Sequence, residues 1–150
     1  MSNRHTFRGK RIDNGEWMLG SHVVEANHYI IPWKKGFQLK IGDPGSAECE
    51  IHRLNAFRVN PVTIDQCTGL PSTSDAFAYE SDIVVFENVP EVGRCIIEWH
   101  KGKFVARGIG GESRFEWYSF CDTAHNPYIP TIVGNIHDNP EMLQEVQTHA

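Results

Sequence analysis

The chain has 150 residues, 22% of them charged and 40% apolar, and a formal net charge of −5. That length can close one sizeable core or two small ones, and that composition excludes a disordered or fibrous chain. The acidic balance disfavours the broad phosphate attraction that supplies most non-specific affinity for nucleic acid.

No apolar run is long enough to span a bilayer, and the opening Met-Ser-Asn-Arg-His lacks an apolar segment, so neither a membrane span nor a secretory signal is expected. A reducing, cytoplasmic compartment is the matching expectation. Cys49, Cys67, Cys95 and Cys121 lie far apart, without the close pairing of a structural zinc site, and read as buried free thiols.

In chain order, the first feature is a basic head, Arg4, Arg8, Lys10 and Arg11, read either as a binding patch or as a solvated strand face. It runs into Asn14-Gly15. These residue types tolerate the positive φ of a type I′ turn, which predicts a hairpin with a two-residue loop, Ile12 opposite Trp17 and Asp13 opposite Glu16.

His28 to Trp33 reads as a short strand closed by Pro32. Ala47 to Val59 is ambiguous, since Ala47, Cys49 and Ile51 alternate while Leu54 and Phe57 stand at helical spacing. Val59 to Ile64, broken by Pro61, reads as an edge or connecting strand. Gly69 to Ala78 is rich in Ser, Thr and Pro and reads as a loop, which divides the chain into 1–70 and 71–150 unless 1–150 is one compact domain. Residues 59–93 also form an acidic waist, with Asp65, Asp75, Glu80, Asp82, Glu87 and Glu91 and neither Lys nor Arg.

The second half alternates more regularly. Asp82 to Phe86 is a buried-strand run, and Cys95 to Ala106 a hairpin turning at Gly102. Arg114 to Phe120 and Thr131 to His137 are further strands. A short C-terminal helix follows, with Asn139 as N-cap, Pro140 in its first turn, and Met142, Leu143 and Val146 on one face. Fold class is therefore mostly β, a β-rich α+β chain.

His5, His22, His28, His52, His100, His125, His137 and His149 show no pair with the spacing of a zinc helix motif. Cys121, Asp122 and His125 are close in sequence, but a triad is defined by geometry rather than proximity in the chain. Glu80 and Asp82 would share a strand face and could hold a cation; Asp favours capping backbone amides instead. No catalytic residue, metal ligand or cofactor site is assigned. Alternation sends Phe115 and Trp117 to one face and Tyr118 and Phe120 to the other, making Tyr118 and Phe120 the candidates for a homo-oligomer interface.

Four segments taken in order, Phe7-Arg-Gly-Lys-Arg-Ile-Asp-Asn-Gly-Glu-Trp, Gln66-Cys-Thr-Gly-Leu, Tyr79-Glu-Ser-Asp-Ile-Val and Gly134-Asn-Ile-His-Asp-Asn-Pro-Glu-Met-Leu, resemble the YopX family of phage and prophage proteins. The resemblance implies a β-rich fold with an SH3-like barrel in the second half, and it implies no established activity. Members usually carry Gly where this chain has Ser81, and an aromatic residue is common at the position of Cys67. With the negative chemistry above, the expectation is a non-catalytic accessory protein in the host cytoplasm, binding a host protein or a small nucleotide-like ligand. The alternative is a nucleic-acid-binding SH3-like module, in which exposed aromatics stack bases beside the basic head. An enzyme ranks third.

Overall fold

The computed structural model describes residues 6–24, 26–32, 56–87, 89–117 and 129–144. The chain is mostly β and divides into two compact units, Met1–Gln66 and Cys67–Ala150.

In the first unit, β1 (Phe7–Lys10), β2 (Trp17–Val24), β3 (His28–Pro32) and β4 (Phe57–Arg58) form an antiparallel meander. The start of β5 (Asp65–Pro71) flanks β1, giving the order β4-β3-β2-β1-β5. Period two puts Arg8, Lys10, Trp17 and Asp65 on one face and Phe7, His22, His28 and Ile30 on the other.

The first hairpin forms in a different register from the one its turn residues suggested. Trp17 lies opposite Lys10, and Ile12 sits in the loop, 53% exposed. Of Asn14 and Gly15, only Gly15 adopts positive φ, at 72°, so a two-residue type I′ turn is not formed. Asn14 instead uses its side-chain oxygen to accept the Glu16 amide at 2.9 Å. The loop closes through the Arg11 amide donating to Glu16 O at 2.9 Å. Asp13 is then answered by Arg11 rather than set against Glu16, and this hydrogen-bonded pair holds the Asp13 carboxyl below its usual range.

Val59 to Ile64 is not a strand. Val59 makes a single bridge to Arg11, and Pro61–Thr63 is a 3-10 turn whose Asn60 side chain caps the Val62 amide at 3.2 Å. Proline in the first turn has no amide to leave unsatisfied, which favours the turn over a ladder. Of the ambiguous stretch 47–59, residues 47–55 lie outside the described residues, and Phe57–Arg58 is β4.

In the second unit, the later part of β5 pairs with β6 (Phe77–Tyr79). The expected loop over 69–78 therefore shrinks to residues 72–76, because Thr68 and Gly69 form a bulge that keeps the strand paired. Gly69 takes φ 75°, and the Thr68 hydroxyl donates to Ala78 O at 2.8 Å while accepting the Leu70 amide at 3.1 Å.

The second sheet contains β7 (Asp82–Val85), β8 (Cys95–His100), β9 (Lys103–Gly108), β10 (Arg114–Phe115) and β11 (Thr131–Asn135), in the order β10-β9-β8-β7-β11. It is open. The two-residue β10 and the bulged β11 are its edges, so the described strands do not close the barrel expected for this half. The strand expected over 114–120 is only two residues long among the described residues, and Trp117 already lies beyond it.

One face of this sheet carries the core: Val84, Phe86, Cys95, Ile97, Phe104, Ala106 and Trp117, with Phe115 packed against it. Phe86 meets Phe115 and Trp117 with tilted rings at 5.2 and 6.4 Å. On the opposite face Ile83 and Val105 are also buried, covered within the single chain. Among the described residues, the expected C-terminal helix is represented by a four-residue 3-10 turn, Pro140–Leu143. Asn139 makes no side-chain cap there; its oxygen accepts the Asn135 amide at 3.2 Å instead. Val146 lies outside the described residues.

Candidate functional site

The most developed surface of the second unit is built on the β8–β9 hairpin. Its loop is Lys101-Gly102, with φ 50° and 85°, the two positive values of a type I′ turn. Such a turn fixes register, so His100 faces Lys103, Glu98 faces Val105, and Arg114 of β10 lies opposite Arg107.

That register gathers charge on one face. The Glu98 carboxylate accepts Arg107 Nε at 3.0 Å on one oxygen and Arg114 Nε at 2.6 Å on the other. Partial burial alone would push the Glu98 carboxyl up, but the two guanidinium hydrogen bonds outweigh it and leave the group below its ordinary value. Arg114 also donates to Glu112 O at 3.3 Å, tying the β9–β10 loop to the same anchor. Lys103 pairs with Glu116.

Beside this network runs an open groove of about 740 Å³, lined by His100, Lys101, Lys103, Val105, Glu112, Arg114, Phe115 and Glu116. Its apolar lining is the buried Val105 and part-buried Phe115; its rim carries three cations and a histidine against two carboxylates. Lys101 makes no ion pair among the described residues. On the other side of the same hairpin tip Trp99 is 51% exposed, edge-on to Phe104 at 4.8 Å.

The basic head is differently placed. Arg8 Nε donates to the buried Asp65 at 3.0 Å, and its guanidinium lies 4.8 Å from the Trp17 ring centre. Lys10 stands 5.3 Å over the same ring, and Arg11 lies 4.4 Å over Phe57. These cations serve the first unit's own aromatics and Asp65. Arg4 lies outside the described residues.

Other sequence candidates resolve as follows. Asp82 is 2% exposed and accepts the Tyr79 amide at 2.8 Å, the capping role rather than an open cation site. Cys67 and Cys95 are buried free thiols, and burial pushes Cys95 up to about 11. Cys49, Cys121, Asp122, His125, Tyr118 and Phe120 lie outside the described residues, as do His5, His52 and His149. Among the described residues no group of three or more His, Cys, Asp and Glu could hold a metal ion, and no helix is long and apolar enough to cross a membrane. Sequence reading missed one pair: His22 and His28 meet across β2 and β3, with Nε2 and Nδ1 3.0 Å apart. The signal was available only through the strand register, which pairs Val24 with His28 and so leaves His22 diagonal to it.

The conspicuous sequence segments turn out to be backbone devices. Cys67-Thr-Gly-Leu is the β5 bulge, and Tyr79-Glu-Ser-Asp is a turn in which Ser81 holds φ 70°. In the last segment the Asn135 side chain accepts the amides of His137 at 3.0 Å and Asp138 at 2.9 Å. A Cβ on Gly134 would come within 2.6 Å of Asn139 Oδ1. Comparison with curated proteins finds no match. The family comparison agrees with these ordered turns and bulges, matching residues 7–144, most of the chain, so that the protein belongs to the YopX protein family.

Proposed function

We propose that this chain is a phage- or prophage-encoded accessory protein of the host cytoplasm that binds its ligand without chemically changing it, and that the groove beside the Lys101-Gly102 turn takes a small, nucleotide-like anion. The observation that carries this reading is the groove itself, a cationic rim over the apolar surface of Val105 and Phe115. A planar base suits the apolar surface and a phosphate suits Lys101 and its neighbours.

A binding role is supported by the carboxylate beside it: Glu98 is neutralised by two arginines, one of them the groove-lining Arg114, and is not poised as a base. An acidic segment of a host protein is a second ligand for the same rim. Self-association through Tyr118 and Phe120 belongs to this proposal, as does an SH3-like character for the second unit. Native mass spectrometry of the chain with a mixture of nucleoside phosphates tests it: a non-covalent adduct with unaltered nucleotide is expected, and a hydrolysed or transferred product overturns it.

Nucleic-acid binding is the second reading, favoured by the exposed Trp99 flanked in sequence by His100, Lys101 and Lys103. The net charge of −5 weighs against it. Fluorescence anisotropy with single- and double-stranded oligonucleotides should show no tight, salt-sensitive binding near physiological salt.

A further inference from the structure

His22 and His28 stand on the same face of the first unit's sheet, with ring planes 13° apart, centroids 5.2 Å apart and Nε2 of His22 3.0 Å from Nδ1 of His28. The centroids are farther apart than the nitrogens by about two imidazole radii, which places both nitrogens near the line joining the ring centres. The nitrogens therefore point at each other. A single N–H lies between them, donated by whichever ring carries it, and the opposite nitrogen must keep its lone pair to accept. A second proton on that line would set two N–H groups head to head.

Among the described residues, this face of the sheet offers no charge to offset this. By strand register the described residues sharing this face are Phe7 and Gly9 of β1, Met18, Gly20 and Val24 of β2, Ile30 and Pro32 of β3, Phe57 of β4 and Gln66 of β5, and none is ionisable. Phe7 packs against His22 at 5.5 Å.

We infer that His22 and His28 form a one-proton couple, an acid-sensitive latch at the turn end of the β2–β3 hairpin that releases when the second proton arrives. A histidine imidazole is the side chain suited to such a switch because its ordinary titration range lies close to neutrality. Burial, and next the neighbouring His28, hold His22 below its ordinary value, in keeping with a couple that resists charging. The β2–β3 ladder persists from Gly20–Pro32 to His22–Ile30, so release loosens the turn end at Val24 and His28 rather than unfolding the unit.

The test uses the full chain. Long-range proton–nitrogen NMR from pH 8 to 4.5 should show the two rings titrating in two coupled steps, the second well below about 6.5, the ordinary imidazole value. Across that second step the backbone amides of Val24 and His28 should exchange about tenfold faster, the mark of a local opening. In His28→Gln the remaining His22 should titrate in a single step, and the acid-dependent exchange should vanish. Two independent single steps near the ordinary value in the wild type, or amide exchange at Val24 and His28 unchanged across them, would overturn the latch.

Discussion

The Asp82 carboxylate accepts the Tyr79 amide at 2.8 Å from a position only 2% exposed, spanning the turn in which Ser81 is held at φ 70°. Ser81 cannot relax out of that conformation cheaply. Its amide donates to Ile97 O at 2.7 Å and its carbonyl accepts Ile136 N at 3.0 Å, so the turn is pinned both by β8 and by the turn that follows β11. A left-handed conformation costs an L-residue roughly 1–2 kcal/mol. Ser81→Gly, which restores the residue usual in the family, should therefore stabilise the chain by about 0.5–1 kcal/mol after the glycine's own entropy cost. Asp82→Ala should cost about 1–3 kcal/mol by stranding a buried amide. Urea denaturation measures both, and a destabilised Ser81→Gly would show that the hydroxyl, not the backbone, matters here.

Asn135 holds the last turn in a comparable way. Its oxygen takes two backbone amides and its nitrogen donates to Asp138 at 3.0 Å. Asn135→Ala should lose about 1–3 kcal/mol, whereas Asn135→Asp, which keeps the acceptor, should lose less. Gly134→Ala should be destabilising by about 1–3 kcal/mol because its Cβ meets Asn139 and Met142. Thermal unfolding of the three variants gives the ranking.

These turns also mark how far the amino-acid sequence could be read. The β8–β9 hairpin was legible because Gly102 sits between two alternating runs and takes there the positive φ that glycine favours. At Asn14-Gly15 the same reasoning misplaced the register by two residues on the first strand. Nothing local distinguishes a two-residue loop from a four-residue one when Asn14 can satisfy Glu16 with its side chain. Asp82 as a cap was legible from its residue type alone. The groove and the His22–His28 couple were not, since both arise from which strands pair and in what register, information that lies far from the residues concerned.

Cysteine chemistry supplies a prediction with a sign. The Cys95 thiol is raised by burial to about 11 in the folded chain, above its value of about 8.5 when unfolded. Folding therefore favours the protonated thiol; its contribution to stability is full below the unfolded value and is lost as pH rises from there toward about 11. Denaturation midpoints should fall between pH 8 and pH 10.5, and less so in Cys95→Ala. In denaturant without reductant all four thiols should react, while Cys67 and Cys95 should be protected in the native chain. Recovery of only two thiols in denaturant would establish a disulfide and contradict the reducing compartment.

Self-association follows from the aromatic pattern. Phe115 and Trp117 are taken up by the core, and Tyr118 and Phe120 remain the proposed subunit contact. Light scattering at micromolar concentration should report more than one subunit, and Tyr118→Lys should dissociate the assembly without lowering its unfolding temperature. A wild-type monomer contradicts the contact.

The proposed ligand role is tested most directly by calorimetric titration of the full chain with nucleoside mono- and triphosphates, repeated with Lys101→Glu. That side chain is exposed at the hairpin tip and in no ion pair among the described residues, so its reversal should leave the fold intact. Saturable binding to the wild type is expected, weakening at high salt, falling about tenfold or more in Lys101→Glu, and returning the nucleotide unaltered. Absence of binding at millimolar nucleotide, or equal binding by the variant, would contradict it.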